Sequence, residues 1–150
     1  MPHNYILLAL FTIFEGYTLS FVGFYEKNVI LAAAILTLVI TVGLTFYAFT
    51  TDSDITLQGG LIFILASVFI GMAIVGMFVK AKWYVILLSG FGAMLYGFFI
   101  VYDTQLILGT KAAEFSIDDY ILASFTLYVD IVGLFLQLLE LIKALTSDSD

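Results

Sequence analysis

The chain has no cysteine and no arginine, a single histidine and a single proline. Without cysteine there is no disulfide, no activated thiolate and no thiolate-held metal, and the residue says nothing about compartment. The one histidine, His3, sits at the very start and reads as solvated rather than as a base. An enzyme is therefore not expected, and neither is a cofactor. Charge is scarce as well. Only 11% of residues are charged, against about a quarter in soluble domains. The charge that is present is mostly negative, net −7, which argues against nucleic acid as a partner and against attraction to anionic lipid headgroups.

What is there is apolar: 63% of the residues are hydrophobic and mean hydropathy is +1.14. This reads as an all-α integral membrane protein, a single transmembrane domain over residues 1–150. A crossing needs about 20 apolar residues. Runs of that length lie at residues 5–24, 29–49, 61–79, 84–108 and 117–145, joined by short connections. The start, MPHN, has no basic region and no cleavage site follows the first run, which is taken as a retained span. Charges gather in the connections, as a helical bundle in lipid requires. Tyr25, Trp83, Tyr84 and Tyr120 stand at span ends, where aromatic residues favour the interface. Five spans place the termini on opposite sides. Lys80 and Lys82 share one loop, which the positive-inside rule alone would make cytoplasmic.

Two acids interrupt the last two spans, Asp103 and Asp130. An aspartate near a span centre costs about 2.5–3.5 kcal/mol on insertion scales, so something neutralises it or something uses it. With no arginine, no obvious salt bridge serves. Protonation, a proton shared between the two acids, a bound cation such as calcium, water, or a partner's positive charge remain. On the fourth span Ser89, Tyr96 and Asp103 recur every seven residues as a polar face, beside Gly90, Gly97 and Thr104, which leave room for another helix. The fifth helix opens with Ser116-x-x-Asp119, a capping-box-like start. Asp119, Thr126, Asp130 and Gln137 then fall within about 40° of one another at helical period, with Glu140 somewhat further round. Such a stripe reads either as a central, functional face or as buried hydrogen bonding that only fixes packing.

Depth permits Asp103 and Asp130 to meet without proving it. Asp103 lies roughly 8 Å from the end of its helix and Asp130 roughly 14 Å from the same membrane face, a mismatch that tilt closes. A meeting pair would titrate as a unit and make a pH-sensitive latch, closed while the acids share a proton and looser when both are charged.

The first span carries Glu15 between Thr12 and Thr18, read either as a carboxyl bonded to those threonines or as a ligand of an ion path. Gly16, Ser20 and Gly23 make a small-residue packing face. The second span reads as scaffold. The third has Ser67, Gly71 and Gly76, again packing residues. Asp52 and Asp54 lack the glycine and glutamate of a calcium loop and read as a solvated turn. Asp118, Asp119, Asp148 and Asp150 read as solvated charges, and Ser147 and Ser149 as part of a disordered tail.

VYDTQLI (101–107) followed by DDYILASFTLYVDIVGLFLQLLELI (118–142) resembles the C-terminal signature of the transmembrane Bax inhibitor motif, or Lifeguard, family, nearest its Golgi anti-apoptotic and Lifeguard branches. FTIFEGYTLS (11–20) resembles that family's third span and TVGLTFYAFTTDSD (41–54) the end of its fourth. The resemblance implies a seven-helix bundle with the C-terminal helix central. It implies calcium leak or calcium/proton exchange, with Asp103 and Asp130 as the pH-sensing pair, and a role in restraining cell death. It implies an ER, Golgi or other endomembrane setting, or for one branch the mitochondrial inner membrane. It also implies a cytosolic N-terminus and 109–116 loop, which would leave the Lys80–Lys82 loop luminal. By this resemblance the chain is expected to begin where the family's third span begins, a five-helix remnant lacking a basic residue that the family's second span brings to the aspartates. It is then either a fragment or short form, or a chain whose gap a partner fills. A homo- or hetero-oligomer is then expected, to cover the polar stripe. Two functions follow: a pH-sensitive calcium leak with Asp103, Asp130 and Glu15 along the path, supported by Tyr96, Thr126 and Gln137; or a non-transporting accessory subunit of a larger membrane complex.

Overall fold

The computed structural model describes residues 2–109, 111 and 120–147, with side chains from residue 5 onward except that of Tyr120. Among the described residues five α-helices carry the fold: α1 (Pro2–Ser20), α2 (Lys27–Thr50), α3 (Gly59–Gly76), α4 (Lys82–Leu108) and α5 (Tyr120–Thr146). Short 3-10 turns at Phe21–Phe24 and Ile55–Gln58 extend the end of α1 and the start of α3. The five stretches long and apolar enough to cross a membrane are Tyr5–Phe24, Lys27–Thr50, Ile55–Gly76, Lys82–Leu108 and Ile121–Thr146. The third stops short of Val79, because the Met77 amide bonds back to Ile74 and that of Phe78 to Val75, a tight turn that ends the helix. The Ser116–Asp119 cap, the acids Glu114, Asp118, Asp119, Asp148 and Asp150, and Ser149 lie outside the described residues.

The chain reverses direction at each connection, so five ends share each face of the bundle. One face holds Tyr25, Lys82 and Ser147, where the Lys82 ammonium donates to the Ser147 carbonyl at 2.6 Å. The opposite face holds the 51–55 connection, the end of α4 and Lys111, whose ammonium donates to the carbonyls of Thr51 and Asp52. α4 ends on Gly109 at φ 60°, a left-handed turn that glycine adopts without a Cβ penalty.

Packing is inside-out relative to a soluble protein. Many leucines, isoleucines and phenylalanines point outward (Phe24 is 86% exposed), while Thr37, Ser89, Asp103, Thr104, Gln105 and Asp130 are buried beside the apolar core. That is the arrangement lipid demands, since a polar group facing hydrocarbon finds no partner. The longest interface is between α4 and α5, and both pack on α2; α4 also carries α3. The expected central position of α5 is thus shared with α4. The core between them and α2 is formed by Val29, Ala33, Ile100, Leu134, Leu138 and Leu139. α1 is the outlying helix, resting on α5 through Phe11, whose ring stands edge-on to Phe125 at 4.4 Å and to Tyr128 at 6.1 Å.

Candidate functional site

α4 and α5 bring Asp103 and Asp130 together. The Asp103 carboxyl is hydrogen-bonded to that of Asp130 and lies within reach of the Thr126 hydroxyl, which donates to the Ala123 carbonyl at 3.2 Å. Thr126 sits one turn before Asp130 on α5, so helix geometry alone places both beside the same partner. A bond between two carboxyls needs a proton between them. Both side chains are buried, Asp103 at 9% exposure and Asp130 at 6%. Asp130 Oδ2 is buried with no hydrogen-bond partner among the described residues. Among the described residues the pair thus leaves one buried carboxyl oxygen, Asp130 Oδ2, free to accept.

Tyr96 and Gln137 continue this polar line along the α4–α5 seam, and two glycines give them room. A Cβ on Gly133 would fall 2.3 Å from Tyr96 Cε1; one on Gly92 would fall 2.6 Å from Gln137 Oε1 and 2.7 Å from Phe69 Cε2. Glu15 belongs to the half-buried stripe of α1 with Phe11 and Leu19. Glu15 and Asp130 both lie within electrostatic reach of the Tyr96 hydroxyl. The flanking Thr12 and Thr18 hydroxyls donate to the carbonyls of Leu8 and Phe14 in their own helix.

The expected packing residues are placed unevenly. Gly97 is buried, with Leu44 Cδ1 3.2 Å from where a Cβ would stand, and Thr104 donates to the Ile100 carbonyl at 2.6 Å. Gly90, Gly16 and Gly23 have nothing within 4 Å of that position. Ser20 donates to the Tyr17 carbonyl. The close approach expected on the Gly16–Ser20 face is therefore not made among the described residues, where α1 presents its Phe11–Glu15 stripe to α5 instead. Among the described residues no three acidic or histidine side chains gather as a metal cage.

Three features carry little trace in the sequence. Gly92 stands four residues before Tyr96 and Gly133 three after Asp130, and that same-face spacing is the available signal. Gln105, fully buried, spends both ends of its amide on the 53–55 connection: Nε2 donates to the Ser53 carbonyl at 3.0 Å and Oε1 accepts from the Ile55 amide at 2.9 Å. A polar residue two positions after Asp103 is its only trace. On the opposite face the Tyr25 hydroxyl donates to Glu140 Oε2 at 2.5 Å, and Lys143 Nζ lies 4.7 Å from the centre of the Tyr25 ring. No sequence pattern links residues so far apart.

Compared with known proteins, residues 1–147 match the family described as inhibitor of apoptosis-promoting Bax1. The chain is 36% identical over 143 residues to the Golgi anti-apoptotic protein of vaccinia virus (strain Lister), covering 95% of this chain and 59% of that protein. It is 34% identical over 145 residues to protein lifeguard 3 of Homo sapiens, 93% of this chain and 47% of the relative. It is 30% identical over 151 residues to Bax inhibitor 1 of Schizosaccharomyces pombe, 99% of this chain and 55% of the relative. The chain thus spans between about half and three-fifths of the length of these relatives.

Proposed function

The chain belongs to the family of the inhibitor of apoptosis-promoting Bax1, and from that premise we propose that it is a pH-sensitive cation leak, with calcium as the ion that passes. The observation that carries the reading is the buried hydrogen bond between Asp103 and Asp130. While the two acids share a proton, the α4–α5 seam is latched. When that proton leaves, two like charges face each other in a poorly solvating interior and the seam loosens. Carboxylate and carbonyl oxygens are the ligands calcium takes. Two carboxyls without a third hold it weakly, which suits passage better than storage. Glu15 and Tyr96 extend the path from this pair. The reading assigns the chain no catalytic role.

The relatives named as anti-apoptotic or Bax-inhibiting support a role in restraining cell death, and the viral relative's name supports a Golgi membrane. Purified chain reconstituted into vesicles holding a calcium dye tests the reading. Wild type is expected to pass calcium, and Asp103→Asn or Asp130→Asn to lose most of that flux. Equal flux from all three would contradict it.

A second reading, a non-transporting subunit of a larger membrane assembly such as one in the mitochondrial inner membrane, draws on α1. No residue of its spanning window is buried, and Asp130 Oδ2 still lacks a donor among the described residues, so helices of another copy or another chain would have surfaces to cover. A native particle far heavier than the 16.6 kDa chain, together with tolerance of both aspartate substitutions, would favour it.

A further inference from the structure

A cavity of about 450 Å³ opens at the face of the bundle opposite the aspartate pair. It lies between the end of α1, the start of α2 and the last turns of α5, and its walls include Tyr25, Glu26, Asn28 and Lys143. Glu140 does not line it. Tyr25 stands between them: its ring forms part of the wall, and its hydroxyl reaches inward to Glu140 Oε2 at 2.5 Å. Lys143, one turn beyond Glu140, lays its ammonium over the outer side of the same arrangement, 4.7 Å from the ring centre.

Glu140 is ten residues beyond Asp130 on α5, about 15 Å along a helix. Between them α5 presents Gly133 beneath the Tyr96 ring and Gln137 against Gly92. The line of polar groups on the α4–α5 seam therefore runs from Asp103 and Asp130 toward one face and reaches Glu140 near the other. The cavity wall carries the Glu26 carboxylate and Lys143, and Tyr25, itself part of that wall, is hydrogen-bonded to Glu140 on α5.

We propose that this cavity is the cation vestibule of the path, that Glu140 is the carboxylate that first takes a divalent cation from it, and that Tyr25 is the gate between them. This rests on the leak reading above. Tyr25 is suited to that part because its hydroxyl keeps its proton: its pKa is pushed up from 10.0 to about 12, first by burial and then by the bond to Glu140 and that residue's charge. The gate is accordingly not the pH-responsive element of the leak reading. The charged groups facing the Tyr25 hydroxyl are Glu140 and, across the ring, Lys143; Glu26 lies on the cavity side.

Calcium flux into vesicles holding wild type, Tyr25→Phe, Glu140→Gln or Asp130→Asn separates the two claims. Tyr25→Phe keeps the ring and loses the tether to Glu140. Its flux is expected to rise, up to on the order of tenfold, the shift in a two-state balance when one hydrogen bond to a charged group is lost, with the pH midpoint unchanged. Glu140→Gln is expected to need several-fold more calcium for half-maximal flux. Flux that Asp130→Asn abolishes but Tyr25→Phe and Glu140→Gln leave as in wild type would overturn the gate while sparing the leak. Absence of flux from wild type and every variant would overturn both. Melting of each variant in detergent guards the comparison: a Tyr25→Phe chain that melts with wild type and still shows unaltered flux counts against the gate.

Discussion

The Tyr96 ring lies across the backbone of Gly133, so close that a Cβ there would stand 2.3 Å from Tyr96 Cε1 and 2.4 Å from Cζ. Only glycine lets α4 and α5 approach with this ring between them, and the ring in turn lies within electrostatic reach of Asp130. Gly133→Ala is expected to destabilise the bundle by about 1–3 kcal/mol, the usual cost of forcing atoms into a filled core. Gly90→Ala, which would meet nothing within 4 Å, serves as the control and should melt with wild type or slightly above it. Thermal melting in detergent reads both; equal melting of the two variants would contradict the packing described.

Gln105 ties the 53–55 connection to α4. Gln105→Leu keeps much of the volume and removes both amide ends, leaving the Ser53 carbonyl and the Ile55 amide without these bonds. A buried polar group left unpaired costs about 1–3 kcal/mol. The variant should melt lower, and hydrogen exchange at the Ile55 amide should quicken well before the helices open. Unchanged protection at Ile55 would mean the amide bond is not formed in solution.

The helices are legible in the sequence and the contacts between distant residues are not. Apolar runs of membrane length announce five helices, and the seven-residue recurrence of Ser89, Tyr96 and Asp103 by itself puts the polar side of α4 on one face. Depth and face together permit Asp103 and Asp130 to meet, and the packing of α4 on α5 is what brings them together. Gly92 and Gly133 are harder, since a glycine in an apolar helix carries no mark of what will lie on it; the mark is on the partner, Gln137 or Tyr96, in the other helix. Gln105 bonded to residues 53 and 55, and Tyr25 bonded to Glu140, are set by which helix ends share a face, and that follows from topology rather than from local pattern. The small-residue face of α1 shows the converse: a sound local signal at Gly16 and Ser20, with no neighbour among the described residues packed against Gly16.

The Tyr25 hydroxyl gives a pH prediction with a definite sign. Its folded pKa, about 12, lies above the ordinary 10.0. A raised value means the protonated form is favoured by folding, so the contribution of this bond is complete below pH 10 and is lost as pH climbs through about 12. Ultraviolet titration of tyrosinate should show a late component near pH 12 that Tyr25→Phe removes. If Tyr25→Phe instead removes a step near 10, the hydroxyl is not held by Glu140.

The aspartate pair is the centre of the account, and the pH profile of calcium flux tests it most directly. Wild type and Asp130→Asn are compared in the same vesicles over a series of pH values, with a proton-conducting ionophore holding both sides equal. In wild type, flux is expected to rise as pH rises, because loss of the shared proton sets Asp103 and Asp130 against each other. In Asp130→Asn an amide replaces one acid, no repulsion develops, and flux should stay low and flat across the range. A variant that retains the wild-type rise would contradict the account, since the pH dependence would then arise from groups other than this pair.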